Sequence, residues 1–337
     1  MILIFTSKFD YSTSCVIRWL NFYEEKVIRL NIDDENYKFS EISKGKIILR
    51  NSLNGTVVNL LDAKSCWWRR KGISIKTFLS DAATLNVVRN SGLTTLLTGE
   101  PEILQRESKR LIEYIYFKVF RNCKINLGNP VYDLNRLIVF ELASEVGLHT
   151  PDSRIISSSV QLNDIEYDEQ VTKPIDECLN TIVGERRFHT YTERLPRSYF
   201  DGQPPIDLFP SLVTKEIKKK IEIRTFYIDG HFYSMAIFSQ SDVQTQIDFR
   251  RYNEKRPNRT EPFKLPRDIE QKVHKLFHQL NLNTGSVDFI VDADGNYVFL
   301  EINPVGQYGM VDAPCNYQLD KKIANYLAYG NINGNQF

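Results

Sequence analysis

The chain of 337 residues contains no apolar run long enough to cross a bilayer, for which about 20 consecutive apolar residues are needed. Its five cysteines, Cys15, Cys66, Cys123, Cys178 and Cys315, show no paired spacing. That argues against a disulfide frame or a structural zinc site and for a reducing compartment. Neither sign of charge is in surplus: 43 Lys+Arg stand against 42 Asp+Glu. No global field therefore recruits nucleic acid or an anionic membrane. The P-loop pattern, GxGxxG and the nucleophile elbow are all missing, which removes support for a P-loop NTPase, a Rossmann dinucleotide site or a serine hydrolase. There is no internal repeat and no low-complexity segment. The start, Met1-Ile2-Leu3-Ile4-Phe5, is too short for a signal peptide and lacks a cleavage pattern. It reads as a buried first strand, and the expected location is cytoplasmic.

What is present is ordinary for a globular protein, with 42% apolar and 25% charged residues, and the length allows two or three lobes. Strand 2–6, a Ser/Thr-capped helix over 12–23 and strand 27–31 form a β-α-β opening with a parallel pair. Strands are expected at 46–50 and 56–59, with 65–70 ending the sheet. A long, mostly helical region covers 79–121, with Pro101 in a first turn. Gly and Pro in 126–130 mark a boundary. A second amphipathic helix spans 133–146, with Leu134, Leu137, Ile138, Glu141, Leu142 and Val146 at helical spacing and Gly147 as its stop. Short strands follow at 154–157, 161–164 and 170–173, then a polar loop at 184–192. Strands 212–217, 221–228 and 232–238 come next, the last two joined by the turn Asp229-Gly230. Helices are expected over 267–280 and 317–329.

The most telling stretch is Gly285 to Ile290, then Asp294-Gly295, then Phe299-Leu300-Glu301-Ile302-Asn303-Pro304. If Asp294-Gly295 forms the whole hairpin loop, Asp288 stands directly across from Glu301, and Asn303 shares their face. Val287, Phe289, Val291, Val298, Leu300 and Ile302 then form the core face. Two opposed carboxylates repel unless a positive group lies between them, and an all-oxygen set suits magnesium. The pattern alone also fits a solvated acidic face, and a loop over 292–296 would shift the register and undo the pairing.

Other residues carry chemistry less specifically. Lys173 ends Val171-Thr172-Lys173 before Pro174 and fits a phosphate-binding point charge or a surface lysine equally well. Glu222 and Arg224 alternate on one strand face, as in a cross-strand salt bridge. Lys218-Lys219-Lys220 reads as a solvated turn. Arg250-Arg251 lie in a polar loop from which they can stabilise transferred phosphate. Trp67-Trp68-Arg69-Arg70 is either a packed strand or a guanidinium pair that receives a carboxylate or phosphate. His274 and His278 lack an intervening acidic residue and read as a solvated helix face.

Taken in order, these pieces resemble the ATP-grasp ligases: Asn135-Arg136, a Val-Thr-Lys-Pro strand, a hinge at 212–217, Glu222-Ile223-Arg224, then Asp288 and Glu301-Ile302-Asn303-Pro304. More narrowly the chain is similar to the graspetide (microviridin-type) peptide maturases, in particular the grasp-with-spasm branch. That likeness rests on residues 1–30, Trp67-Trp68-Arg69-Arg70, Ser239-Gln240, Asp248-Phe249-Arg250 and the run Glu301 to Gln307. It implies an α/β fold of the ATP-grasp type with an N-terminal pre-ATP-grasp domain at 1–128, a central lid subdomain at 129–212, a C-terminal subdomain at 213–330 and a tail at 331–337. Lys173 would meet the ATP phosphates, and Lys215, Glu216 and Ile217 would hold adenine by backbone atoms. Glu222 would hold ribose. Asp288, Glu301 and Asn303 would ligate Mg2+, and Arg224 and Arg250 would face the phosphates. Arg136 stands where many relatives have lysine, and Thr214 and Lys215 where glutamine and an acidic residue are usual.

The activity so implied activates Asp/Glu side chains of a ribosomally made precursor peptide as acyl phosphates. A Thr/Ser hydroxyl or Lys amine of the same peptide then closes an ω-ester or ω-amide ring. The implied partners are ATP, Mg2+ and the precursor with its leader and core, in a homodimer without nucleic acid or membrane. Two other readings stay open: a ligase that adds free amino acids to a protein tail, and a non-catalytic ATP-binding regulator.

Overall fold

Residues 2–5 are apolar without a break and fully buried. The strand they begin, β1 (Ile2–Thr6), lies inside a parallel sheet, where both faces are covered. In the computed structural model, which describes residues 1–78, 101–130, 134–162, 170–175, 180–183, 186–189, 192–195, 204–240 and 253–334, the chain divides into two compact units. The first comprises Met1–Tyr132 with Gln318–Phe337, and the second Asp133–Tyr317.

The sheet of the first unit has the order β2 (Val27–Asn31), β1, β6 (Ser65–Trp68), β7 (Ile125–Leu127), all parallel. The expectation that 65–70 closes the sheet is therefore corrected: β7, overlapping the start of the expected boundary region, adds one more strand. Leu3, Phe5, Cys66 and Trp68 join Ile115, Tyr116 and Val119 of α2 (Pro101–Asn122) in one core. Ile2, Ile4 and Thr6 point the other way by alternation. There Thr6 Oγ1 lies 3.1 Å from Thr13 Oγ1 of α1 (Tyr11–Phe22), and α1 packs against α6 (Leu319–Tyr329). The cap of α1 is Asp10, whose carboxylate accepts Thr13 N–H, rather than a Ser or Thr. Strands β3 (Tyr37–Ser43), β4 (Lys46–Asn51) and β5 (Val57–Asn59) form a separate antiparallel sheet.

The second unit holds two larger antiparallel sheets. One has the order β12 (Glu193–Arg194), β9 (Gln170–Lys173), β13 (Asp207–Lys215), β8 (Ser153–Ser158). The other is β16 (Arg259–Phe263), β15 (His231–Phe238), β14 (Lys219–Ile228), β17 (Thr284–Asp292), β18 (Tyr297–Asn303). Asp229 and Gly230 take φ of 46° and 85° and form the expected turn between β14 and β15. Helices α3 (Arg136–Glu145) and α4 (Arg267–Gln279) pack on the second sheet, and α5 (Gly309–Cys315) follows it.

Three local expectations are corrected. Residues 159–162 form a 3-10 turn rather than a strand. Arg186–His189 is strand β11 paired with β10 (Asn180–Val183), not loop. In α3 the buried residues are Val139, Phe140 and Ala143, whereas Ile138 is 57% exposed. Asn135 caps this helix by accepting the Leu137 and Ile138 N–H groups, so the helix starts at Arg136 and turns a different stripe inward. Gly147, with φ of 82°, ends it as expected.

Candidate active site

The segment Lys215 to Lys218 leaves the first sheet of the second unit and enters the other at Lys219. A cleft lies between the two sheets, with about 1000 Å³ of space including its open mouth. Its floor is one face of the five-stranded sheet. Arg224, Asp288 and Glu301 form a row across β14, β17 and β18, with Arg224 paired to Asp288 and Asp288 to Glu301. The opposite face buries Ile223, Val287, Phe289, Phe299 and Ile302.

The pairing of Asp288 with Glu301 is as expected, although its route is different. Asp292 N–H donates to the Asn296 carbonyl at 3.1 Å and Gly295 takes φ of 89°. The loop is thus three residues, Ala293 to Gly295, and the adjoining ladder is one residue out of the expected register, with Phe289 opposite Phe299. A bulge between Asp288 and Phe289 leaves Leu300 as an extra residue and restores the count. Leu300 consequently lines the cleft, and Phe299 takes the core position expected for Leu300.

Each carboxylate of the row meets a guanidinium. Arg224 Nη1 lies 2.9 and 3.2 Å from the Asp288 oxygens, and Arg224 Nη2 donates to Ser286 Oγ at 3.1 Å. Arg136 Nη2 lies 3.0 Å from Glu301 Oε2, and its Nη1 donates to the Pro174 carbonyl. Arg136 thus links the floor to the residue that follows Lys173. The Lys173 ammonium sits 5.3 Å from the Phe140 ring centre. Arg224 Nε is buried and has no hydrogen-bond partner among the described residues.

At the other end, Glu222 is buried and its Oε1 accepts from Lys219 Nζ at 2.5 Å and from Ser239 Oγ at 2.6 Å. In an even strand Lys219 and Glu222 would face opposite ways. A register shift between Lys219 and Ile221 turns them to the same side, so the Lys219 side chain is only 4% exposed and is not part of a solvated turn. Arg194 forms two 2.5 Å hydrogen bonds to Glu216, one to each carboxylate oxygen, and Lys215 N–H donates to the Asp152 carbonyl at 2.9 Å.

Lys173, Lys215, Glu216, Ile217, Glu222, Arg224, Asp288 and Glu301 all line this one cleft. Asn303 lies two residues beyond Glu301, opposite Ser286, and its Oδ1 accepts Val305 N–H at 3.0 Å. Arg250 lies outside the described residues, as do residues 184–185 and 190–191 of the expected loop. Arg136, Arg194, Lys219 and Ser239 were missed as site residues. Arg136 and Ser239 carried a signal, since Asn135-Arg136 and Ser239-Gln240 are among the segments on which the family resemblance rests. Lys219 enters through a bulge, and Arg194 through strand pairing with no local pattern.

Among the described residues no group of three or more His, Cys, Asp and Glu converges. The oxygen donors Asp288 and Glu301 form a pair, too few for an all-protein cage. They fit magnesium, which keeps waters and is bound by one or two carboxylates together with substrate phosphates.

No protein-family model matches the chain. No curated protein matches it in sequence. Solved structures do match over nearly the whole length. The macrocyclase MdnC from Microcystis aeruginosa MRC, bound with precursor peptide MdnA, is 20% identical with a TM-score of 0.72, over 98% of this chain and 100% of that one. A RiPP-associated ATP-grasp ligase from Chryseobacterium gregarium, in complex with ADP and a leader and core peptide, is 20% identical with a TM-score of 0.73, over 100% and 99%. The ATP-grasp ligase PsnB, complexed with minimal precursor, Mg and ADP, is 15% identical with a TM-score of 0.63, over 97% and 96%. The two sheets, the cleft between them and this end-to-end likeness give the chain the ATP-grasp fold, in the form found in these peptide ligases.

Proposed function

We propose that the protein is an ATP-dependent ligase that crosslinks a ribosomally made precursor peptide. It activates Asp/Glu side chains as acyl phosphates and closes ω-ester or ω-amide rings with Thr/Ser or Lys. The observation that carries this is the convergence of Lys173, Glu222, Arg224, Asp288 and Glu301 on one cleft in an ATP-grasp fold. Ligands of the similar structures support it: a precursor peptide in MdnC, ADP with leader and core in the Chryseobacterium protein, Mg and ADP in PsnB.

In this reading Lys215, Glu216 and Ile217 hold adenine by backbone atoms, with Arg194 fixing Glu216, and Glu222 holds ribose hydroxyls. Lys173 is a point charge on the phosphates. Asp288 and Glu301, with Asn303, hold Mg2+, which when bound neutralises phosphate charge. A peptide carboxylate oxygen attacks the γ-phosphorus, and the bond to the β–γ bridging oxygen breaks to release ADP. The hydroxyl or amine then attacks the acyl carbon, phosphate leaves, and the proton passes to the departing phosphate. Arg224 and Arg250 stabilise the charge on the transferring group, where positioning and electrostatics dominate. Burial of Arg224 beside Asp288 strengthens that field.

The three-part division at 1–128, 129–212 and 213–330 belongs to the same reading, as do a homodimer and a cytoplasmic location. No helix among the described residues is long and apolar enough to cross a membrane. The test is purified protein with ATP, Mg2+ and a Thr- and Glu-rich candidate precursor, followed by mass. Loss of one water per ring with matching ADP release is expected. Gain of an amino-acid residue would favour the tail-ligase alternative, and no ADP with any peptide would favour a non-catalytic regulator.

A further inference from the structure

Helix α3 opens with a charge at its unfavourable end. Arg136 is its first residue, and its first turn holds no acid. A cation there opposes the helix dipole, whose amino end is positive. What the side chain touches offsets that cost. Arg136 is 12% exposed at its side chain, and its Nη2 lies 3.0 Å from Glu301 Oε2 on β18. Its Nη1 donates to the Pro174 carbonyl, one residue past the end of β9. One guanidinium therefore joins the floor of the cleft to the strand that carries Lys173. A rigid planar fork fixes the directions of two acceptors together, whereas an ammonium on a flexible stem fixes neither.

The end of β9 calls for such a hold. Its ladder to β13 finishes at the pair of Lys173 with Leu212. Pro174 follows, and its nitrogen has no hydrogen with which to extend a ladder. Thr172 is fastened from β13, its hydroxyl donating to the Leu212 carbonyl at 3.0 Å. Beyond it the grip passes to α3. Phe140 lies one turn after Arg136, on the same face of the helix, and the Lys173 ammonium stands over its ring. Phe140 is itself held by the core: it is buried and meets Phe299 edge to face, with ring centres 6.3 Å apart. Two residues four apart on α3 thus hold the Pro174 carbonyl and the Lys173 ammonium. Together they define where the lysine head lies.

We infer that Arg136 is a positioning residue for Lys173. With Phe140 it clamps the end of β9, and by gripping Glu301 it sets Lys173 at a fixed offset from a carboxylate of the floor. The use of that offset, to align a phosphate charge with a metal ligand, rests on the function proposed above. Arg136 acts through Lys173, not as a separate contact to the nucleotide.

The test is a double-mutant cycle in the full chain. Calorimetry measures binding of a non-hydrolysable ATP analogue with Mg2+, and urea denaturation checks folding. Hydrogen exchange of the β9 amides is measured on the nucleotide-free protein. Arg136→Lys keeps the charge and loses the fork. It should speed exchange in β9 and weaken analogue binding about fivefold. Lys173→Ala should weaken binding about tenfold. The double variant should lie within about twofold of Lys173→Ala alone, because the two residues act in series. Independent contacts would multiply to about fiftyfold, and that result in folded variants overturns the proposal. Parental affinity in Arg136→Lys overturns it as well. Faster β9 exchange in Arg136→Lys, in a chain that binds no analogue, would support the clamp and sink the ligase reading. Normal analogue binding in the parent with multiplying losses would do the reverse.

Discussion

Two Asp–Arg pairs in this protein look alike in chemistry and differ in setting. Asp10 and Arg69 lie just beyond the carboxyl ends of two strands of a parallel sheet, and the Asp10 carboxylate also caps a helix. Asp288 with Arg224 belongs to an antiparallel sheet with one face on the core and one on a cleft. Losing the first should damage folding, and losing the second should damage turnover. A polar residue on a one-sided sheet is free to serve chemistry, because the hydrophobic burden is carried by its alternate neighbours.

The contrast can be broken experimentally. Asp10→Ala breaks a buried ion pair with Arg69 and removes a cap, so it should cost about 3–5 kcal/mol of stability. Urea denaturation reads this, and a loss under about 1 kcal/mol would erase the distinction. Asp288→Ala should lower Mg2+-dependent ADP release by about 100- to 1000-fold, on the scale of removing one transition-state charge contact. Its urea midpoint should shift far less than that of Asp10→Ala, and near-normal turnover would remove Asp288 from the site. Arg194→Ala should weaken ADP binding by about threefold to tenfold, because it loosens Glu216 without removing a nucleotide contact. Calorimetry that finds full affinity would make the Arg194–Glu216 pair incidental.

The smallest effect concerns pH. The folded-state pKa of Asp10 is lowered, so its contribution is complete above the ordinary carboxylate value of about 3.9. It is lost as pH falls from there through the lowered pKa. Asp10→Asn should therefore show a shallower decline of urea midpoint below about pH 4 than the parent chain. Equal slopes would mean that the shift does not bear on folding.

How much of this was legible in the sequence depends on what sets each element. Ile2 to Phe5 and the turn Asp229-Gly230 were readable because the signal is local: continuous apolarity in one case and two positive φ values in the other. The inward stripe of α3 was only half readable. Leu134, Leu142 and Val146 do pack on the core, but Leu137 and Ile138 do not, since the cap at Asn135 fixes where the helix begins. Asp288 and Glu301 were paired correctly by an argument containing two errors that cancel, one in the loop and one at Leu300. The partners Lys219 and Arg194 depend on a bulge and on pairing between distant strands. No residue nearby in sequence announces either.

The extra residue at Leu300 uncouples the tip of its hairpin from its base. The outer ladder and its loop keep one phase, and the carboxylate row keeps another. The tip is therefore a safe attachment point. A tag or a dye-bearing insert spliced between Asp294 and Gly295 should leave the distance from Asp288 to Glu301 unchanged. A label there would stand near Lys215 to Lys218, with which Ala293 and Asp294 line a hollow.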